Sequence, residues 1–161
     1  MELPLIRSAT VDDAGAISHV IVRALRETNA GDYPPAVISA LVQNFAPERI
    51  LELLATRDVL VACLADEIVG TASLEHSAVR TVFVAPEHQG RGLGSALMRE
   101  LEVLCRTRGL TRQTVRSSIT AEGFYTRLGF VAVRDQYVGA ERTIIMERSL
   151  IAADAAVPPV S

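Results

Sequence analysis

Lysine is absent from this chain: all 16 basic residues are arginine. A Schiff-base lysine, a lysine general base and the lysine of a nucleotide-binding P-loop are thereby excluded together. Cysteine is scarce. Cys63 and Cys105 each sit in an apolar setting and neither has metal-ligand spacing, so both read as buried structural thiols. No apolar run reaches the length that spans a bilayer. Met1-Glu2-Leu3-Pro4 lacks the basic, apolar and small-residue succession of a signal peptide, so the expected compartment is the cytoplasm, with no membrane partner. A basic excess is also missing. The formal net charge of −3 argues against a nucleic-acid surface and suits a cationic acceptor.

With 161 residues, 49% of them hydrophobic, the chain fits one domain that buries a core without disulfides or a structural metal. A short strand is expected over 3–8. Thr10 and Asp13 form a capping box for a helix over 11–28, whose Ala14, Ile17, Ile21 and Leu25 share one face. His19 reads as a surface or partly packed residue of that helix. After a loop over 29–35, Pro35 opens a second helix toward Phe45, and Pro47 a third.

The pattern then changes to strands. Segments 59–65 and 68–74, joined by Asp66-Glu67, read as an antiparallel hairpin, and 79–85 as a third strand. Downstream, Leu93, Leu97, Leu101 and Leu104 share a helix face whose burial is worth on the order of 6–12 kcal/mol before chain entropy is subtracted. Gly109 stops that helix. Strands are expected over 111–116, 130–133 and 143–146, with a short helix capped by Thr120 and a loop containing Tyr137-Val138-Gly139-Ala140. The domain runs over 1–150. Residues 151–161 read as a disordered tail.

The most informative stretch runs from Val82 to Met98: an apolar strand, a proline, three alternating glycines and a helix. Glycines let main-chain N–H groups approach a ligand, and a helix N-terminus adds unpaired N–H groups and partial positive charge. This is the layout of a diphosphate cradle, so an anionic cofactor is expected. Gly90-Arg91-Gly92-Leu93-Gly94 matches neither the P-loop nor the dinucleotide spacing G-x-G-x-x-G. A second group lies at 117–130, where Tyr125 is turned about 100° from the core-facing Phe124 and points toward a cleft. Packing as an ordinary core tyrosine is the plain alternative, as turn glycines before a helix are for the loop.

Two segments together carry a resemblance. Gln89-Gly90-Arg91-Gly92-Leu93-Gly94 and Ala121-Glu122-Gly123-Phe124-Tyr125-Thr126-Arg127-Leu128-Gly129-Phe130 resemble, in order, the Gln/Arg-x-x-Gly-x-Gly/Ala and Ala-x-x-Phe-Tyr-x-x-x-Gly-Phe motifs of the GCN5-related N-acetyltransferase (GNAT) superfamily. The resemblance covers residues 3–150. It implies a single α/β domain with a mixed, mostly antiparallel splayed sheet flanked by helices. It also implies transfer of an acetyl group from acetyl-CoA, as co-substrate, to a primary amine by direct attack on the bound thioester. The pantetheine arm is then expected along the backbone of Phe83 and Val84, and the diphosphate on the N–H groups of Gln89, Gly90, Arg91, Gly92, Leu93, Gly94 and Ser95. Arg91 either adds a charge-assisted contact or stays solvated.

Tyr125 is the candidate catalytic residue, as proton donor to the leaving thiolate. Ser118 stands where many relatives carry a cofactor-contacting Asn. Glu75 and His76 are the nearest candidates for a general base, although both also read as strand-end residues and an amine arriving deprotonated needs none. His88 reads as a turn residue. Variation in the acceptor falls at 29–45 and 137–141, where Tyr33 and Tyr137 are candidates to line its pocket. The acceptor is an amine-bearing small molecule or peptide, and relatives often form homodimers. A non-catalytic acyl-CoA-binding module is the alternative. A nicotinamide or flavin binder is disfavoured by the glycine spacing and the antiparallel hairpin.

Overall fold

The computed structural model describes residues 3–139 and 141–151. One sheet holds β1 (Leu5–Ser8), β2 (Asp58–Leu64), β3 (Glu67–Glu75), β4 (Ala78–Val84), β5 (Arg112–Ser117), β6 (Val131–Val138) and β7 (Glu141–Ser149), in the order β1-β2-β3-β4-β5-β7-β6. Every pairing is antiparallel except that of β4 with β5. Those two share only the pairs Ala78 with Thr114 and Val79 with Val115, so the sheet opens between them beyond Val79.

Five helices cover the sheet: α1 (Ala14–Glu27), α2 (Pro35–Gln43), α3 (Pro47–Thr56), α4 (Leu93–Thr107) and α5 (Glu122–Arg127). Strand alternation divides the core in two. On β2, Val59, Val61 and Cys63 face Ile17, Ile21 and Ile50 of α1 and α3. Ala62 between them faces the opposite cluster, with Leu97 and Leu101 of α4 and Phe130. Leu93, Leu97 and Leu101 are buried as their spacing predicts, and Leu104 partly so. Both cysteines are free and buried. No described helix is long and apolar enough to cross a membrane.

Several boundaries differ from expectation for identifiable reasons. Val11–Asp13 form a 3-10 turn, and α1 begins at Ala14. The Thr10 N–H donates to Asp13 Oδ2 at 2.8 Å, which is the backbone half of the expected capping box. Asp13 also accepts from Arg7 at 2.8 and 3.1 Å, and that guanidinium holds its carboxyl down to about 2.

The β2–β3 turn is one residue earlier than expected. Ala65 and Asp66 both take positive φ, 50° and 68°, while Glu67 is already in the strand. A two-residue hairpin of this hand needs that conformation at both central positions, and here it forms without glycine. β6 and β7 are longer than their apolar cores at 130–133 and 143–146. β6 is an edge strand, so its polar Arg134, Asp135 and Gln136 remain strand residues, and Asp135 pairs with Arg142 across the hairpin at 3.2 Å. Tyr137 therefore belongs to β6 rather than to a loop. Of the expected tail, 152–161 lie outside the described residues.

Candidate active site

The segment after β4 makes a 3-10 turn over Pro86–His88 and reaches α4 through Gly90 and Gly92, whose φ angles are 78° and 82°. A Cβ at either position would meet nothing within 4 Å. These glycines serve the backbone angle and leave the main chain open on its outer side. The first hydrogen bond of α4 runs from the Ala96 N–H to the Gly92 carbonyl at 3.0 Å. The N–H groups of Leu93, Gly94 and Ser95 therefore precede the helical ladder. Gly94 has a different reason to be glycine, since its Cβ would lie 3.2 Å from Cζ of Phe124.

Other members of the loop divide by role. The Leu93 side chain is buried in the core, which leaves only its main chain to face a ligand. Gln89 Nε2 donates to Thr28 Oγ1 at 2.8 Å and to the Val84 carbonyl at 3.2 Å, fastening the loop to the end of α1 and to β4. A cavity of about 490 Å³ opens beside this segment, lined by Val84, Gln89, Gly92, Ser95, Phe124 and Arg127 among others. Arg91 is exposed and does not line it. Arg127 of α5 does, and sequence reasoning missed it. Its helix supplied the one available signal, since Arg127 lies four residues after Gly123 and so shares that small residue's face.

A second cavity, of about 420 Å³, is lined by Tyr33, Asn44, Phe45, Arg57, Arg80 and Ser118 among others. Asn29, Val82, Phe83, Ala121 and Tyr125 line both cavities, which thus meet at the opening between β4 and β5. Tyr33 joins this wall as expected. Tyr137 does not, standing 65% exposed on β6.

β4 is irregular at this meeting point. Its register with β3 passes from Thr71–Phe83 to Ser73–Arg80, so β4 carries one extra residue there. Thr81 in that bulge has φ 48°, a strained value for a β-branched residue, and its Oγ1 lies 2.7 Å from Ser73 Oγ. A bulge leaves main-chain groups outside the ladder, and Thr81 and Val82 line the second cavity.

Tyr125 stands at the junction. Its ring is 4% exposed and packs edge-on against Phe124 and Phe130, at 5.0 and 5.5 Å between centroids. The expected division is reversed in burial, since Tyr125 is a member of the core and Phe124 is only partly buried, although Tyr125 does line both cavities. Its hydroxyl bonds to no described residue, and burial pushes its pKa well above the ordinary phenol value.

Ser118 lines only the second cavity. Its Oγ accepts from the Ala121 N–H at 3.2 Å and from Asn29 Nδ2 at 3.4 Å. Ser118, not Thr120, therefore satisfies the main chain entering α5. Thr120 instead donates to Asp32 through Oγ1 at 2.6 Å and N–H at 3.2 Å. The α1–α2 and β5–α5 loops are clipped together across the opening.

Neither candidate base reaches the site, and both are the strand-end residues they also read as. Glu75 pairs with Arg80 at 3.4 Å, His76 occupies the β3–β4 turn at φ 57°, and neither lines either cavity. Burial also raises the Cys105 thiol above its usual pKa, consistent with a structural role.

An acetyltransferase (GNAT) domain model matches residues 29–146. The uncharacterized N-acetyltransferase YafP of Escherichia coli (strain K12) is 34% identical over 133 residues, covering 83% of this chain and 85% of YafP. A GCN5-related N-acetyltransferase from Rhodopseudomonas palustris superposes with a TM-score of 0.87 at 26% identity, covering 92% of this chain and 97% of that one. The PaiA N-acetyltransferase of Thermoplasma acidophilum, in complex with coenzyme A, gives a TM-score of 0.79 at 19% identity, over 91% and 99%. The chain belongs to the GNAT superfamily, whose members transfer acetyl from acetyl-CoA to amines.

Proposed function

We propose that this chain N-acetylates a small primary amine, with the cofactor on the α4 side of the split sheet and the acceptor in the cavity walled by α1, α2 and α3. The chain's own residues suit coenzyme A: two open positive-φ glycines, free N–H groups at the start of α4, and Arg127 on the same cavity. Acetyl-CoA supplies an activated thioester, so that as the amine nitrogen bonds the carbonyl carbon the C–S bond breaks, giving the N-acetyl product and free thiol.

Within this reading, N–H groups from Gln89 to Ser95 hold the diphosphate, Leu93 contributing main chain alone. Gln89 keeps the loop in place through Thr28 and Val84. Phe83 and Val84 align the pantetheine arm through their backbone, and Arg91 draws the polyanion in from its exposed position. Freed main-chain donors at the Thr81–Val82 bulge stabilise the negative charge that develops on the carbonyl oxygen. Ser118 positions the start of α5 and with it Tyr125.

Tyr125 carries the catalytic step. A phenol, with a reference pKa near 10 against about 8.5 for a thiol, gives up its proton to a thiolate against a gradient of about 2 kcal/mol, and burial steepens it. Its supported role is therefore to donate a hydrogen bond to the departing sulfur, the proton that finally rests there being relayed from the attacking amine. The single observation behind this assignment is a tyrosine 4% exposed, whose hydroxyl has no hydrogen-bond partner among the described residues, at the junction of two cavities. The setting is cytoplasmic, where acetyl-CoA is made and two unpaired buried thiols persist.

Thiol release from acetyl-CoA across a panel of amines and peptides tests the function. Acceptor-dependent release is expected. Coenzyme A binding without release for any acceptor would instead mark a non-catalytic acyl-CoA module.

A further inference from the structure

The acidic chain walls its acceptor cavity with cations. Arg49, Arg57, Arg80 and Arg116 line it, against Glu52 as the one carboxylate. Glu52 pairs with Arg49 at 3.1 Å, and Arg80 pairs with Glu75 at 3.4 Å. Arg57, at the junction of α3 and β2, has no carboxylate within ion-pair distance among the described residues. Its Nε and Nη1, and Nε of Arg80, are cut off from solvent without a hydrogen-bond partner. Leaving charged donors buried and unpaired costs several kcal/mol in general, so such groups normally have a partner. Burial depresses the Arg57 pKa, with Arg80 adding to the effect and Glu75 only partly offsetting it. An anion in the cavity balances the excess of arginine over carboxylate on its wall. A cavity of about 420 Å³ also has the size of a small-molecule site rather than a groove for a folded protein.

We propose that the acceptor carries a carboxylate as well as its amine, as a free α-amino acid does, and that Arg57, assisted by Arg80, binds this carboxylate. This reverses the cationic acceptor that net charge alone suggested, because the local wall and the global balance have opposite signs. The proposal rests on the acetyltransferase reading. The carboxylate sits against the Arg57 and Arg80 side chains that line the cavity, which fixes the acceptor by one end while its amine points toward the opening shared with the cofactor cavity. Glu52 and Arg49 stay paired at the rim.

The test is initial-rate thiol release with acetyl-CoA and each of the twenty L-amino acids, set against the matching L-amino acid amides. At least one acid is expected to exceed its own amide in kcat/KM by 10-fold or more. In Arg57→Gln the ratio should collapse toward one through a rise in KM for the acid that exceeds any change for the amide, with coenzyme A affinity held, and Arg57→Lys should restore part of it. Unchanged coenzyme A binding by calorimetry shows that each variant is folded. Amides turned over as well as or better than acids in the wild type would overturn the carboxylate assignment and leave the acetyltransferase reading standing. An undiminished ratio in Arg57→Gln would remove Arg57 from the site. Thiol release with no acid and no amide would overturn the amino-acid assignment, while release with another member of the amine and peptide panel would leave the acetyltransferase reading standing.

Discussion

A tyrosine 4% exposed, whose hydroxyl has no hydrogen-bond partner among the described residues, lines two cavities at once. Two consequences separate a catalytic Tyr125 from a packing one. Tyr125→Phe keeps the ring contacts with Phe124 and Phe130, so its unfolding midpoint should match or exceed that of the wild type. Its turnover should fall by about 100-fold with coenzyme A affinity unchanged, the range typical of a lost proton-transfer or hydrogen-bond partner. Stopped-flow thiol detection beside calorimetry checks both, and full activity would return Tyr125 to the core. The tyrosine was legible in the sequence because it sits in a dense motif. Arg57 was not, since a single arginine among 16 has no spacing to mark it and acquires meaning only from what folding places around it.

At the scale of elements, the sequence read well where one periodicity dominated and less well where polar residues occupy strands or turns lack glycine. The α4 leucines and the two proline-opened helices fell where expected. β6 did not, because its run of Arg134, Asp135 and Gln136 is tolerated on an edge strand and resembles a loop in sequence. The Ala65-Asp66 turn was displaced for a related reason. Ala65 at φ 50° pays for a left-handed conformation that asparagine adopts more readily, so Ala65→Asn should raise stability by about 0.5–1 kcal/mol in urea unfolding. A loss of stability would mean that the turn is not strained.

The join between β1 and α1 yields a pH prediction. Asp13 has its carboxyl held near 2 by Arg7, below its ordinary 3.8. A depressed carboxyl contributes stability that is complete above the ordinary value and disappears as pH falls through 2. With Arg7 39% exposed the pair is partly screened, and Asp13→Asn should cost about 1 kcal/mol at pH 7. The gap between variant and wild type should narrow from pH 4 toward pH 2 in unfolding titrations. A gap independent of pH would contradict a depressed Asp13 carboxyl.

For the whole molecule, the organising event is the parting of β4 from β5 after two paired residues. It creates one opening that serves two cavities, a glycine-lined one toward α4 and an arginine-lined one toward α3. The succession of elements along the chain and the glycine loop ahead of α4 could be read in advance, since both follow from local signals. The acceptor side could not, because its wall is assembled from α1, α2, α3, β4 and β5, and the net charge of −3 pointed the other way. The two loops clipped by Asp32 and Thr120 also come from opposite halves of the chain.

The account depends above all on main-chain amides after β4 holding the cofactor's diphosphate. Amide-resolved nuclear magnetic resonance during a coenzyme A titration reads this directly. The largest shifts should fall on residues 89–95, and pantetheine, which lacks the diphosphate, should leave those amides nearly unmoved. Equal effects of the two compounds there, or coenzyme A shifts confined to other segments, would contradict it.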